Sequence, residues 1–264
     1  MKSDNTRPHW GRWLLLGLLL YAIFLVVSFP AAILAPRLEA MSAGALHLTG
    51  MSGTAWNGGG LLTAGARSAP PLILHLSWRF DPLWLLAGKA QWRLSANDND
   101  MKLAATLRAG YHSTALRDTD AELPANLAEI IYPPAALFAP SGRIHVTAES
   151  LDLDANGLDG KLEILWSNAG VRLAPVTLGD YRAEVTGRGP VADVNLLTVR
   201  GPLELNGKGQ WNVIGDGMLS LRGSAKLSPD APPSLEPLVN MINANGMAVG
   251  IRLPASLMLG LSQS

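Results

Sequence analysis

The sequence predicts a mainly β protein: a single N-terminal transmembrane helix, then an antiparallel β-sheet domain, curled or sandwich-like, with one or two short helices. Three observations carry that expectation. An uncharged apolar run occupies residues 13–35, apolar and polar residues alternate with period two beyond residue 45, and Asn-Gly and Asp-Gly dipeptides punctuate the alternation.

The apolar run, "WLLLGLLLYAIFLVVSFPAAILA", comes first. As a helix rising about 1.5 Å per residue it is long enough for the roughly 30 Å of bilayer hydrocarbon. Lys2, Arg7 and Arg12 precede it with only Asp4 against them, whereas Arg37 and Glu39 cancel just beyond it. The positive-inside rule then keeps residues 1–12 as a cytoplasmic tail, makes 13–35 the anchor and puts 36–264 outside the cytoplasm as a periplasmic domain. A cleaved signal peptide is the competing reading. The run is longer than an h-region, and small residues suited to cleavage occur together only at Ala43 and Ala45, well past Arg37.

Strands follow. "RIHVTAE" (143–149), "LDLD" (151–154) and "PLELNGKGQWNV" (202–213) alternate as half-buried strands do. Asn-Gly at 57–58, 156–157, 206–207 and 245–246 and Asp-Gly at 159–160 and 216–217 are read as tight hairpin turns, because these pairs accept positive φ. Two stretches read as short helices. Residues 123–134 carry Leu127, Ile130 and Ile131 before Pro133 and Pro134; residues 234–246 offer Ser234 as an N-cap, Leu235, Leu238, Val239 and Ile242 as a face, and Asn245-Gly246 as a stop.

Composition limits the function. Lys+Arg number 21 against Asp+Glu 21, so no net basic field draws the chain to nucleic acid, and with no cysteine there is no disulfide frame, thiolate metal site or Cys nucleophile. The Gly-rich "GMSGTAWNGGG" (50–60) lacks the Lys-Ser/Thr of a P-loop, and no helix pattern follows it, so it reads as a bulged or tightly turned strand pair with Trp56 at a core edge or interfacial belt. No catalytic elbow or metalloprotease motif is present. His47, His75 and His145 share one strand context and could form a three-histidine zinc site only if their strands were neighbours. Asp152, Asp154, Asn156, Gly157 and Glu163 fit the ligand spacing of an EF-hand calcium loop. A period-two run enters it where a helix is required, which favours a hairpin over a calcium site.

The phrase Gly50-x-x-Gly53-Thr54-x-Trp56-x-Gly58, close behind an apolar segment, resembles the signature of the N component of bacterial type II secretion systems, the GspN family. Trp78-x-x-x-Pro82-x-x-Leu85-Leu86-x-Gly88, Gly142-x-Ile144, Leu178-Gly179-x-Tyr181 and Gly201-x-Leu203-x-Leu205-x-Gly207 follow in the order that family has. The resemblance implies a non-enzymatic accessory protein with no cofactor, anchored in the inner membrane and partnered there by other secretion-system components. A periplasmic lipid-binding or lipid-transfer groove is the alternative, since "LWLLAG" (83–88) and "LLTV" (196–199) are apolar runs that alternation does not explain.

Overall fold

The computed structural model describes residues 10–41, 44, 46–65, 72–98, 101–174, 176–244 and 249–252. Thirteen strands form one antiparallel sheet in which each strand pairs with the next in sequence. They are β1 (Leu46–Gly53), β2 (Asn57–Ala64), β3 (Leu72–Asp81), β4 (Ala90–Asp98), β5 (Met101–Ala109), β6 (Ser113–Pro124), β7 (Ser141–Asp154), β8 (Gly157–Gly170), β9 (Gly179–Gly189), β10 (Val191–Arg200), β11 (Leu203–Asn212), β12 (Met218–Leu227) and β13 (Val249–Arg252). Among the described residues there is one sheet, so the sandwich form of the expectation is replaced by an open meander with β1 and β13 at its two ends.

Register explains why the alternation is so regular. Starting from Leu48, the pairs Leu48↔Leu62↔Leu74, Leu76↔Ala96↔Leu103↔Ala121↔Val146↔Ile164↔Ala183↔Leu196 and Leu205↔Ala225 run across the sheet on one face. The other face carries Arg93, Thr106, Arg117, His145, Lys161, Glu184, Asp193, Gln210 and Arg222. A shift of one residue in any strand would turn its apolar set to water, which fixes the register. Bulges in β5–β6 and β7–β8 reset the phase without breaking the faces: Leu151 and Leu153 return to the apolar side after Ala148.

Four clusters bury the apolar face. Leu74, Ala96 and Met101 lie under Leu127 from the β6–β7 connection, and Leu203, Ala225 and Tyr181 lie under Leu235, Leu238 and Ile242. Near β1, Ala31, Ala35 and Leu38 cover Leu48 and Trp78. In the middle, Leu151, Leu158, Val185, Ala192, Val194 and Trp211 bury one another with only Val213 added from a turn. A twisted sheet of this width is concave enough to do that.

The helices depart from expectation at their ends. The uncharged run 13–35 is not one helix. α1 (Trp10–Val27) stops before Pro30, whose ring cannot sit in a helix interior and disfavours α geometry in Phe29; a 3₁₀ turn (Ala31–Ile33) and α2 (Leu34–Met41) follow. Among the described residues no helix is long and apolar enough to cross a membrane. Residues 123–134 give the end of β6, a 3₁₀ turn and α3 (Ala128–Ile131), followed by a second 3₁₀ turn (Pro133–Leu137). α4 (Glu236–Ala244) follows a 3₁₀ turn (Pro233–Leu235) whose cap is Pro232, so Ser234 lies inside that turn and is not an N-cap; Asn245-Gly246 lies outside the described residues.

Candidate functional site

The Gly-rich stretch is a joint between the N-terminal helix and the sheet. Gly53 has φ +83°, and a Cβ there would lie 2.4 Å from the Asn57 carbonyl oxygen; a Cβ on Gly58 would meet the Ser52 oxygen at 2.5 Å and the Trp78 ring at 2.9 Å. Only glycine fits such an approach. Gly50, also at positive φ (+57°), lies at the bulge between Thr49 and Ser52. The Thr54 hydroxyl accepts from the backbone N–H of Trp56 (3.3 Å) and Asn57 (3.1 Å), closing the turn from within.

Trp56 then reaches back to the helix. Its Nε1–H donates to the Val26 carbonyl at 2.6 Å, in the last turn of α1, where that carbonyl also accepts from the Phe29 N–H at 3.2 Å. Ala55 N–H donates to Phe29 O, Pro30 bridges Thr54, and Trp78 Nε1–H donates to Thr54 O. The Trp56 ring lies 4.8 Å from Phe80, which lies 5.2 Å from Trp92, an aromatic row leading away from the helix end along the sheet. Trp56 is half-buried against Phe80, and its hydrogen bond to Val26 is not legible in the sequence, because nothing in the spacing from 26 to 56 reports that contact.

The other phrases are joints as well. Gly88 ends a 3₁₀ turn (Pro82–Ala87) in the left-handed conformation, and Asp81 caps its start by accepting from Leu83 N–H. Gly179 and Gly201, both at positive φ, meet backbone to backbone: a Cβ on Gly201 would lie 2.3 Å from the Gly179 Cα. Beside them the buried Tyr181 hydroxyl is placed to donate to the Leu178 (3.0 Å) and Leu203 (2.9 Å) carbonyls. Burial, and after it the charge on Asp180, pushes the Tyr181 phenol well above its ordinary value. Asp180 is itself buried; the hydrogen bond it accepts from the Asn168 N–H, then its pairing with Arg200, hold its carboxyl below the ordinary range against the opposing effect of burial.

The two metal readings dissolve into strand chemistry. Asp154 and Gly157 pair across a two-residue turn, and the Asp154 carboxylate accepts from the Asn156 (2.7 Å) and Gly157 (3.2 Å) N–H groups. Asp152 binds Arg117 at 2.6 Å, and Glu163 pairs with Arg182 at 3.0 Å. Glu163 sits four residues along β8 from Asp159, the partner of Asp152, about 13 Å away at strand spacing. His47, His75 and His145 stand on β1, β3 and β7, beside Glu39, Asp98 and Asp120 respectively, and are not brought together. Among the described residues no group of three or more such side chains could hold a metal ion.

Two-faced, single-sheeted and fastened by a turn to an apolar helix, the molecule is a β-meander module whose distinctive residues are joints. The chain belongs to the type II secretion protein N family: the family model described as "Type II secretion system (T2SS), protein N" matches residues 44–252. No curated protein and no solved structure matches the chain. The family places it among the accessory components of type II secretion.

Proposed function

We propose that the chain is a non-enzymatic accessory component of the type II secretion machinery, held in the inner membrane by α1 with its N-terminus cytoplasmic, and acting through periplasmic contacts of its sheet with other inner-membrane components. The observation that carries this reading is the surface of α1. Leu14, Leu18 and Leu25 are exposed, Trp13 is 71% and Phe24 63% exposed, and no described part of the chain covers them. An apolar helix with no polar side needs a lipid or protein environment on every side. Rising about 27 Å, α1 falls short of the roughly 30 Å hydrocarbon core, so the proposed anchor is the whole uncharged run 13–35, of which α1 forms the greater part. β1 stands at one end of the strand order, and an edge of a sheet is the kind of element to which a partner strand can add.

The full chain, solubilised from bacterial membranes, should co-purify with other single-pass components of the apparatus and resist alkaline extraction. Deleting 45–264 while retaining the anchor should abolish the association; retention by the stub would move the contact to the helix. The unbroken apolar face supports a second reading, a lipid-binding groove. Residues 83–88 lie in an exposed 3₁₀ turn and its glycine cap, and of 196–199 Leu196 packs on the apolar side while Leu197 is on the polar face. Stoichiometric phospholipid on the purified domain, with no protein partner, would favour that reading.

A further inference from the structure

A second apolar feature lies at the end of the sheet where α1 is fastened. Trp56, which holds the Val26 carbonyl, also accepts a backbone hydrogen bond from Phe80 N–H at 2.6 Å, and two residues beyond Phe80 the 3₁₀ turn Pro82–Ala87 begins. It presents Leu83 (73% exposed), Leu85 and Leu86 (90% exposed) to the outside. Because Ala90 pairs with Ala109, the β5–β6 turn emerges at the same end and adds Tyr111, 89% exposed. Burying none of these in the sheet is costly in water unless something else covers them.

The chemistry around the turn selects the cover. Trp84 lies under the Arg108 guanidinium, 3.9 Å from its ring centroid, while Lys89 and His112 flank the two turns. Asp81 is engaged as the helix cap and with Arg93 at 3.0 Å. Leucines at the tip, aromatic residues behind them and cations at the sides make the order of groups that a bilayer interface accepts, from acyl chains to anionic headgroups. Continuity with α1, through Trp56, places the tip beside the end of the helix that enters the membrane.

We infer that the Pro82–Ala87 turn, with Tyr111, is a second membrane contact that dips into the interface of the same bilayer that holds α1, so that the sheet is fixed at two points and cannot swivel about the helix. This rests on the anchor reading of α1. The natural chain has no cysteine, so single cysteines can be spin-labelled in the full chain reconstituted into vesicles of phosphatidylethanolamine and phosphatidylglycerol. Labels at Leu86→Cys, Leu18→Cys on α1, and Leu137→Cys at the opposite end of the sheet are compared for collision with oxygen and with a water-soluble nickel chelate. The label at position 86 should lose nickel collisions toward the level at position 18, while position 137 keeps them. If position 18 is protected and position 86 is as open to nickel as position 137, the second contact is disproved and the anchor stands. If position 18 is also open, both fail together. A Leu83→Ser/Leu86→Ser double variant, which alters only exposed side chains, should leave position 18 protected and abolish the protection of a label at Tyr111→Cys; continued protection there would overturn a contact made through the turn.

Discussion

At Gly58 the fold tolerates no side chain at all. Gly58→Ala would press a methyl against the Ser52 oxygen and the Trp78 ring, and overpacking of that kind costs about 1–3 kcal/mol; chemical denaturation of the full chain in detergent should record it. Tyr181→Phe leaves the Leu178 and Leu203 carbonyls buried with one donor fewer, a loss on the order of 1–2 kcal/mol in the same measurement. Asp180 supplies a pH signature. Its carboxyl is held below the ordinary 3.8 in the folded protein, so its stabilisation is fully present above that value and drains away as pH falls through the lower folded-state value. The stability difference between the natural chain and Asp180→Asn should therefore shrink on acidification below 3.8; a difference that grows would contradict the assignment.

Among the elements, the β7–β8 hairpin shows how far a pattern can mislead. Its ligand spacing matches a calcium loop, yet Arg117 holds Asp152 and the turn's own N–H groups hold Asp154. Millimolar calcium should leave the melting temperature of the chain unchanged, since a ligand stabilises only by binding the native state; a calcium-dependent rise abolished by Asp152→Ala would reverse this. The same region marks what the sequence could and could not tell. Period-two alternation in 143–149, 151–154 and 202–213 was legible because burial on one face writes itself into every second residue. Turn dipeptides were a poorer guide. Asn156-Gly157 and Asp216-Gly217 do fall at turns, but Asp159-Gly160 and Asn206-Gly207 lie inside β8 and β11. At Gly160 the need is a different one, close approach of the neighbouring strand, since a Cβ would lie 2.1 Å from the Ser150 oxygen; at Gly207 a Cβ would only touch the Leu221 side chain, at 3.4 Å. Long-range contacts such as Trp56 to Val26, or Gly201 against Gly179, leave no periodic trace and could be found only in three dimensions.

For the molecule as a whole, the segment between α1 and the sheet belongs to the folded domain. Ala31, Ala35 and Leu38 cover Leu48 and Trp78, so a chain beginning at residue 28 should be more stable than one beginning at residue 44 by on the order of 3 kcal/mol, given the apolar surface uncovered. Equal midpoints in urea would mean that the family-matched span is self-sufficient. The unbroken order of the strands has another consequence. Each strand's partner is its immediate predecessor, so no pairing must await a distant part of the chain, and contact order stays low for a protein so rich in sheet. A chain emerging N-terminus first, from a ribosome or through a translocation channel, can add each hairpin to an edge already formed behind it. The molecule can thus grow in the direction in which it is delivered, and the edge most exposed to misassociation at any moment is the one the next strand is about to occupy.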